Sequence, residues 1–229
     1  SPDMTITSLA EWTGGANFNL LGEELYYGWY GPYIYGMAVS PNDEALYVGG
    51  AIDGTYSLAL NNIGKYKAGV WSALTGTTGV EGVNDVVYDI AVSADETVYA
   101  GGDFTTAGGV AADYIAKWSS ANGWTTLGSP NALQGGGVRA IAINGNDVYV
   151  GGLFTAVNGD ANASHIAKWN SVTNTWTALG TGINGRVNTI AIADNGDVYA
   201  GGLFTIAGGA AANNIAKWNG TSWEAIGSG

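Results

Sequence analysis

The amino-acid sequence predicts an all-β protein built from tandem four-stranded units, and two observations lead to this prediction. A motif made of an aliphatic residue, Tyr, Val or Ala, and two glycines occurs four times at steps of about 50 residues, at 46–50, 98–102, 148–152 and 198–202. A period of this length is typical of repeat proteins. In addition, no stretch has the i, i+3, i+4, i+7 apolar spacing and the caps of an amphipathic helix. We therefore expect strands throughout and almost no helix.

Three further markers follow the double glycine in a fixed order. Phe-Thr comes first (104–105, 154–155 and 204–205), then Ile-Ala-Lys-Trp (115–118, 166–169 and 215–218), then a second tryptophan (Trp124, Trp176 and Trp223). Because four markers keep the same order and spacing, they indicate that one whole unit was duplicated.

The repeat at residues 186–227 shows what one unit contains. Four short runs in it have strand character, at 187–192, 197–200, 214–218 and 222–226. Asn-Gly pairs lie between the first two runs and between the last two, and Asn-Gly favours the positive φ of hairpin turns. Four antiparallel strands repeated in tandem are typical of propeller blades, because one blade cannot bury both of its faces alone. The sequence therefore predicts a β-propeller.

We expect four full repeats plus a half repeat, that is four to five blades in a single domain over residues 1–229. The full blades span approximately 33–75, 86–128, 137–180 and 186–227, and the half blade spans 8–22. In the half blade, Leu9-Ala10-Glu11-Trp12 matches Ile-Ala-Lys-Trp, and Phe18 begins a match to the last strand. The inner two strands have no counterpart there. Three alternatives follow: a piece of a longer array, four blades with an extra hairpin, or a ring that a second chain completes.

The repeat resembles the kelch repeat, most closely at residues 169–179, where Trp-x-x-Leu ends the unit. It departs from kelch because Ile-Ala-Lys-Trp stands where Tyr-Asp is usual. The loop Phe-Thr-x-x-Gly-Gly at 104–109 is more similar to propeller repeats of large secreted or surface proteins, including fungal cortical markers and bacterial surface proteins. The resemblance implies a propeller in an extracellular or cell-surface setting. It implies no activity, because proteins that share such a fold differ in chemistry.

Composition argues against most catalytic and nucleic-acid functions. The chain has 7 Lys+Arg against 19 Asp+Glu, and a net charge of −12 repels phosphate backbones. It has no Cys and one histidine, His165, and because such sites need several ligands or a set of partners, we do not expect an imidazole metal site or a catalytic triad. No apolar run approaches the roughly 20 residues of a membrane span. We therefore expect no catalytic residue, metal, cofactor, nucleic-acid partner or membrane insertion.

One segment stands outside the repeat. Residues 26–35 contain six aromatic side chains where the other units have a short polar loop. Rigid amphipathic aromatics suit a recognition surface, so we take four of them as candidate ligand-binding residues: Tyr27, Trp29, Tyr30 and Tyr33. The alternative is that this segment fills the gap left by the missing inner strands.

The leading hypothesis is a non-enzymatic extracellular or cell-surface β-propeller that acts as a binding scaffold for a protein or a glycan. The alternative is a structural repeat spacer of a larger surface protein, with no ligand of its own. A hydrolase is less favoured, because it needs a convergent carboxylate pair. Self-association that completes the ring is a further expectation.

Two residue types recur once per repeat and therefore favour structural roles. We expect the tryptophan pairs to pack between blades. We expect the lysine of each third strand to pair with a backbone carbonyl or a neighbouring carboxylate; these are Lys65, Lys117, Lys168 and Lys217.

Overall fold

The structure is a computed structural model that describes residues 6–7, 9–12, 18–20, 24–26, 28 and 32–227. Within these residues each full repeat forms one four-stranded antiparallel sheet, and its strands pair in chain order. The helical content there is one short 3₁₀ turn, Ala161–Ala163. The all-β fold with four-stranded antiparallel blades is thus confirmed, whereas the limits of a single domain over 1–229 stay a prediction.

The strands run as follows. The N-terminal strands are β1 (Ile6–Thr7), β2 (Ala10–Trp12), β3 (Phe18–Leu20) and β4 (Leu25–Tyr26). Blade 1 contains β5 (Tyr33–Val39), β6 (Leu46–Ala51), the short β7 (Gly54–Thr55), β8 (Ile63–Lys67) and β9 (Val70–Ala73). Blade 2 contains β10 (Val87–Val92), β11 (Val98–Gly102), the loop hairpin β12 (Thr106–Ala107) and β13 (Val110–Ala111), β14 (Ile115–Ser119) and β15 (Gly123–Thr125).

Blades 3 and 4 repeat this order. Blade 3 contains β16 (Leu133–Gln134), β17 (Val138–Asn144), β18 (Asp147–Gly152), β19 (Ala156–Val157), β20 (Ile166–Asn170) and β21 (Thr175–Ala178). Blade 4 contains β22 (Val187–Ile192), β23 (Val198–Gly202), the loop hairpin β24 (Ile206–Ala207) and β25 (Ala210–Ala211), β26 (Ile215–Trp218) and β27 (Trp223–Ala225). Before blade 1, β2 and β3 form a separate two-stranded sheet, and β1, β4 and β7 form another.

The buried core lies between successive blades. Three of its clusters each combine the back of one blade with the front of the next, at the junctions of blades 1 and 2, 2 and 3, and 3 and 4. The innermost strands β5, β10, β17 and β22 lie side by side in that order. Because each sheet is covered by its neighbour, the blades stabilise one another in series.

The two glycines that end each second strand have different neighbours. A Cβ on the first glycine would meet the next blade: on Gly101 it would lie 2.4 Å from Val138 Cγ1 and 3.1 Å from Ile141 Cδ1. A Cβ on the second, Gly102, would lie 2.0 Å from the carbonyl oxygen of Val86 in its own blade. The first glycine therefore forms a socket for the following blade, and the second lets β10 and β11 approach closely.

The last-strand tryptophans connect neighbouring blades, as their repetition predicted. The indole Nε1–H of Trp124 donates to the carbonyl oxygen of Leu74 at 2.7 Å, one blade earlier. The same bond recurs from Trp176 to Leu127 at 2.9 Å and from Trp223 to Leu179 at 2.8 Å. Trp124 and Trp223 are buried and Trp176 is partly buried, and each indole satisfies its single donor at a junction.

The repeated lysine pairs with a carboxylate in three blades. Its Nζ lies 3.4 Å from Asp43 for Lys65, 3.0 Å from Asp147 for Lys168, and 3.6 Å from Asp197 for Lys217. In blade 2, Lys117 lies over the ring of Trp169 instead, at 4.5 Å from its centroid. These contacts agree with a structural role for the lysine.

Candidate functional site

Every innermost strand carries a β-bulge at the same place. The register slips by one residue there, so that Tyr35, Tyr88, Arg139 and Asn188 have no partner on the adjacent strand. Bulges re-aim side chains and occur beside functional sites. The bulge position holds Tyr twice, then Arg and Asn, whereas the residue before it is aliphatic in every blade (Ile34, Val87, Val138 and Val187). Since the fold does not require one residue type here, this position is free to carry function.

The four bulges open on one cavity of about 340 Å³, called here the inner-strand cavity. Its lining comes from all four innermost strands: Tyr35, Tyr88, Asp89, Arg139, Ala140, Asn188, Thr189 and Ile190. Its volume lies within the range of small-ligand sites, and its lining combines two tyrosine rings with several polar groups.

A stack of aromatic rings and one cation forms one wall of the cavity. The ring of Tyr35 lies 5.3 Å from that of Tyr88, and the guanidinium carbon of Arg139 lies 3.6 Å from the centroid of Tyr88. Tyr33 extends the stack outward, with its ring 6.3 Å from that of Tyr35. Cation–π contact at this distance fixes the guanidinium and the phenol ring relative to each other.

Asp103 holds this wall in place. Both of its carboxylate oxygens accept hydrogen bonds from Arg139, at 3.0 and 3.2 Å, and one also accepts from the hydroxyl of Tyr88 at 2.9 Å. Burial, together with this hydrogen bond, raises the pKa of Tyr88 above its ordinary value. Tyr88 is therefore a neutral donor at physiological pH. The equivalent positions in the other blades hold Ala51, Leu153 and Leu203, so this anchor is specific to blade 2.

Asp89, which also lines the cavity, links two innermost strands. Its carboxylate accepts from the backbone N–H of Ile90 at 2.9 Å and from that of Ile141, in blade 3, at 2.7 Å. Burial raises the pKa of Asp89, although the two backbone hydrogen bonds oppose this. Both cavity carboxylates are thus engaged by the protein itself.

The sequence-predicted residues relate to this cavity in different ways. Tyr33 lies on β5, is 52% exposed and stacks on Tyr35. Tyr27, Trp29 and Tyr30 lie outside the described residues, so their role stays a prediction.

The sequence analysis did not select the other residues of the wall, namely Tyr35, Tyr88, Asp103 and Arg139. The sequence analysis looked for residues that recur in every repeat, whereas these residues lie at positions that differ from one repeat to the next. In Val87-Tyr88-Asp89, Val138-Arg139-Ala140 and Val187-Asn188-Thr189, the valine is constant and the following residue varies. Aligning the repeats and selecting the variable inner positions identifies the cavity.

His165 and Asp160 make structural contacts. Nδ1 of His165 lies 2.9 Å from the carbonyl oxygen of Ile183 across the junction of blades 3 and 4, and burial lowers the pKa of His165. Asp160 caps the 3₁₀ turn by accepting from the N–H of Asn162 at 2.9 Å. Over the described ranges, no three His, Cys, Asp or Glu side chains are grouped in a way that could hold a metal ion.

The comparisons with known proteins support the propeller. A family model described as the Rax2 C-terminal beta propeller domain matches residues 118–228. No curated protein matches the sequence. In the part of the chain that the structure describes, no helix has the length and apolar character needed to cross a bilayer.

Solved structures match over nearly the whole chain. One is the extracellular domain of BT4673 from B. thetaiotaomicron, described as a one component system: identity is 16%, the TM-score is 0.56, and the match covers 96% of this chain and 26% of that one. A second structure of an extracellular domain of BT4673, described as a hybrid two component system, matches at 16% identity with a TM-score of 0.57, over 98% and 27%. The chain therefore spans about a quarter of these structures. This chain has a β-propeller fold; its kelch-like character stays a prediction.

Proposed function

We propose that this chain is a non-enzymatic β-propeller of an extracellular or cell-surface protein, and that it binds a protein or a glycan through the inner-strand cavity. The observation that carries the proposal is a set of residues at the bulge position, Tyr35, Tyr88 and Arg139, held by a carboxylate that only blade 2 has, Asp103. A site held on rigid strands loses little entropy when its ligand binds.

The chemistry of the wall favours a sugar ring or a polar peptide group as the ligand. The tyrosine faces offer apolar contact area, while the guanidinium of Arg139 and the amide of Asn188 offer hydrogen bonds in fixed places. The two carboxylates support a non-enzymatic role, because Asp103 is bound to Arg139 and Asp89 is bound to backbone N–H groups. The likeness to extracellular domains supports the proposed location.

A glycan array followed by isothermal titration tests the proposal. We expect Tyr35→Ala and Arg139→Ala each to weaken the binding of a hit at least tenfold, and Val70→Ala, on the exposed outer strand of blade 1, to leave it unchanged. A triple Tyr27/Trp29/Tyr30→Ala variant separates the cavity from the aromatic segment. Binding that only the triple variant abolishes would place the ligand on the segment and refute the cavity.

The structural spacer is the second candidate, and the uniformity of the blade junctions favours it. The same valine, isoleucine and glycine contacts recur at three successive junctions. As a spacer, the chain would bind nothing on arrays of glycans or surface proteins, and the cavity variants would have no phenotype other than stability.

A further inference from the structure

The back of blade 4 carries the same socket as the other blades, but this one is open. In blades 2 and 3 the isoleucine opposite the socket glycine is buried, with Ile115 3% and Ile166 0% exposed, whereas Ile215 is 39% exposed. A Cβ on Gly201 would meet only Thr189 and Asn214, which belong to its own blade. We call Tyr199, Gly201 and Ile215 the open socket.

The three filled sockets show what such a surface accepts. Each receives a valine and an isoleucine three residues apart on the first strand of the next blade. The pairs are Val87 and Ile90 at Gly49, Val138 and Ile141 at Gly101, and Val187 and Ile190 at Gly151. The bulge between the two residues brings both side chains to the same face of the strand. Three independent junctions thus define one recognition rule.

A second copy of the chain cannot supply these residues without rearranging. The fronts of blades 2, 3 and 4 are already packed against the preceding blades. Blade 1 carries Ile34 and Met37 at the two positions; Leu9 packs in the same cluster as Ile34, whereas Met37 is 57% exposed. By the repeat, Leu9 corresponds to Ile215, so a docked blade 4 would have to displace it.

We propose that the open socket docks the first strand of a further propeller repeat, one that carries Val-x-x-Ile and lies outside residues 32–227. The shape of the partner follows from the filled sockets: two aliphatic side chains separated by a bulge enter beside a glycine. This inference is independent of the ligand of the inner-strand cavity.

A peptide of residues 137–152, which contains Val138, Ile141 and the native hairpin turn, serves as the probe. We would titrate it into the full ¹⁵N-labelled chain and follow the amide resonances. We expect saturable shifts centred on Gly201 and Ile215, and at least tenfold weaker binding to Ile215→Lys. The control Val172→Lys, at a residue that is 73% exposed in blade 3, should bind like the unmodified chain.

A second peptide with Val138→Asp and Ile141→Asp tests the recognition rule, and we expect no saturable shift from it. Thermal unfolding of Ile215→Lys should match that of the unmodified chain, because the side chain is exposed there. The proposal fails if the native peptide gives no saturable shift, or if Ile215→Lys binds it equally well. It also fails if sedimentation shows a dimer that Ile215→Lys dissociates, since the occupant would then be a second copy.

Discussion

The blade junctions and the inner-strand cavity are built from the same repeats but follow opposite rules. At the junctions, equivalent positions hold the same residues, such as Trp124, Trp176 and Trp223, with the same hydrogen bond to the blade before. In the cavity, equivalent positions diverge: the residue directly after the socket valine Val138 is Arg139, and in the next blade the residue after Val187 is Asn188. Invariance among the repeats thus marks what holds the fold, and divergence marks what is free to bind.

The strongest test of the junction rule is Trp124→Ala. Its ring is 2% exposed and its indole donates to Leu74 at 2.7 Å, so the variant loses buried area and leaves a carbonyl unpaired. We expect the free energy of unfolding to fall by about 3–5 kcal/mol. Guanidinium denaturation followed by circular dichroism measures this, with the exposed Val172→Ala as control. A loss below about 1 kcal/mol would mean that the indoles do not hold the blades together.

The same glycine substitution in a filled and in an open socket sharpens the comparison. In Gly101→Ala the new methyl meets two side chains of the next blade, and we expect a loss of about 1–3 kcal/mol in the free energy of unfolding. In Gly201→Ala it meets one methyl of Thr189 at 2.9 Å, which can move, and we expect less than about 1 kcal/mol. Equal losses in parallel denaturation curves would show that the glycines serve only their own blade.

Arg139→Met tests whether the cavity can change without the fold. The variant keeps an unbranched apolar stem but loses the cation over Tyr88 and both hydrogen bonds to Asp103. Because this pair is partly exposed, we expect a stability change within about 1 kcal/mol, but at least tenfold weaker binding of any ligand that the array identifies. A loss of stability as large as that of Trp124→Ala would make the pair structural.

The contrast between junction and cavity also explains how much the sequence could predict. The double glycines, tryptophans and lysines recur, so the blades and their strand order followed from self-comparison of repeats such as 86–128 and 186–227. The cavity did not follow from self-comparison, because its residues come from four repeats that are distant along the chain. They line one cavity only when the four innermost strands lie side by side. A pairing such as Arg139 with Asp103 has no local sequence pattern, because it spans 36 residues and two blades.

The smallest expected effect concerns Asp89, which belongs to both regions because it links two innermost strands and lines the cavity. Burial raises its pKa in the folded chain above the ordinary 3.8. The folded state then holds the proton to higher pH than the unfolded state, so the contribution of Asp89 to stability is complete below the ordinary pKa and is lost as the pH rises through the raised value.

Asp89→Asn tests this pH dependence. The new side chain does not titrate, so the loss of one hydrogen-bond acceptor lowers the free energy of unfolding by the same amount at every pH. The difference in unfolding free energy between the two chains, measured by urea denaturation at several pH values from 3 to 7, should therefore shift in favour of Asn as the pH rises. A pH-independent difference would show that the hydrogen bonds from Ile90 and Ile141 balance the effect of burial, and a shift against Asn would show that they outweigh it.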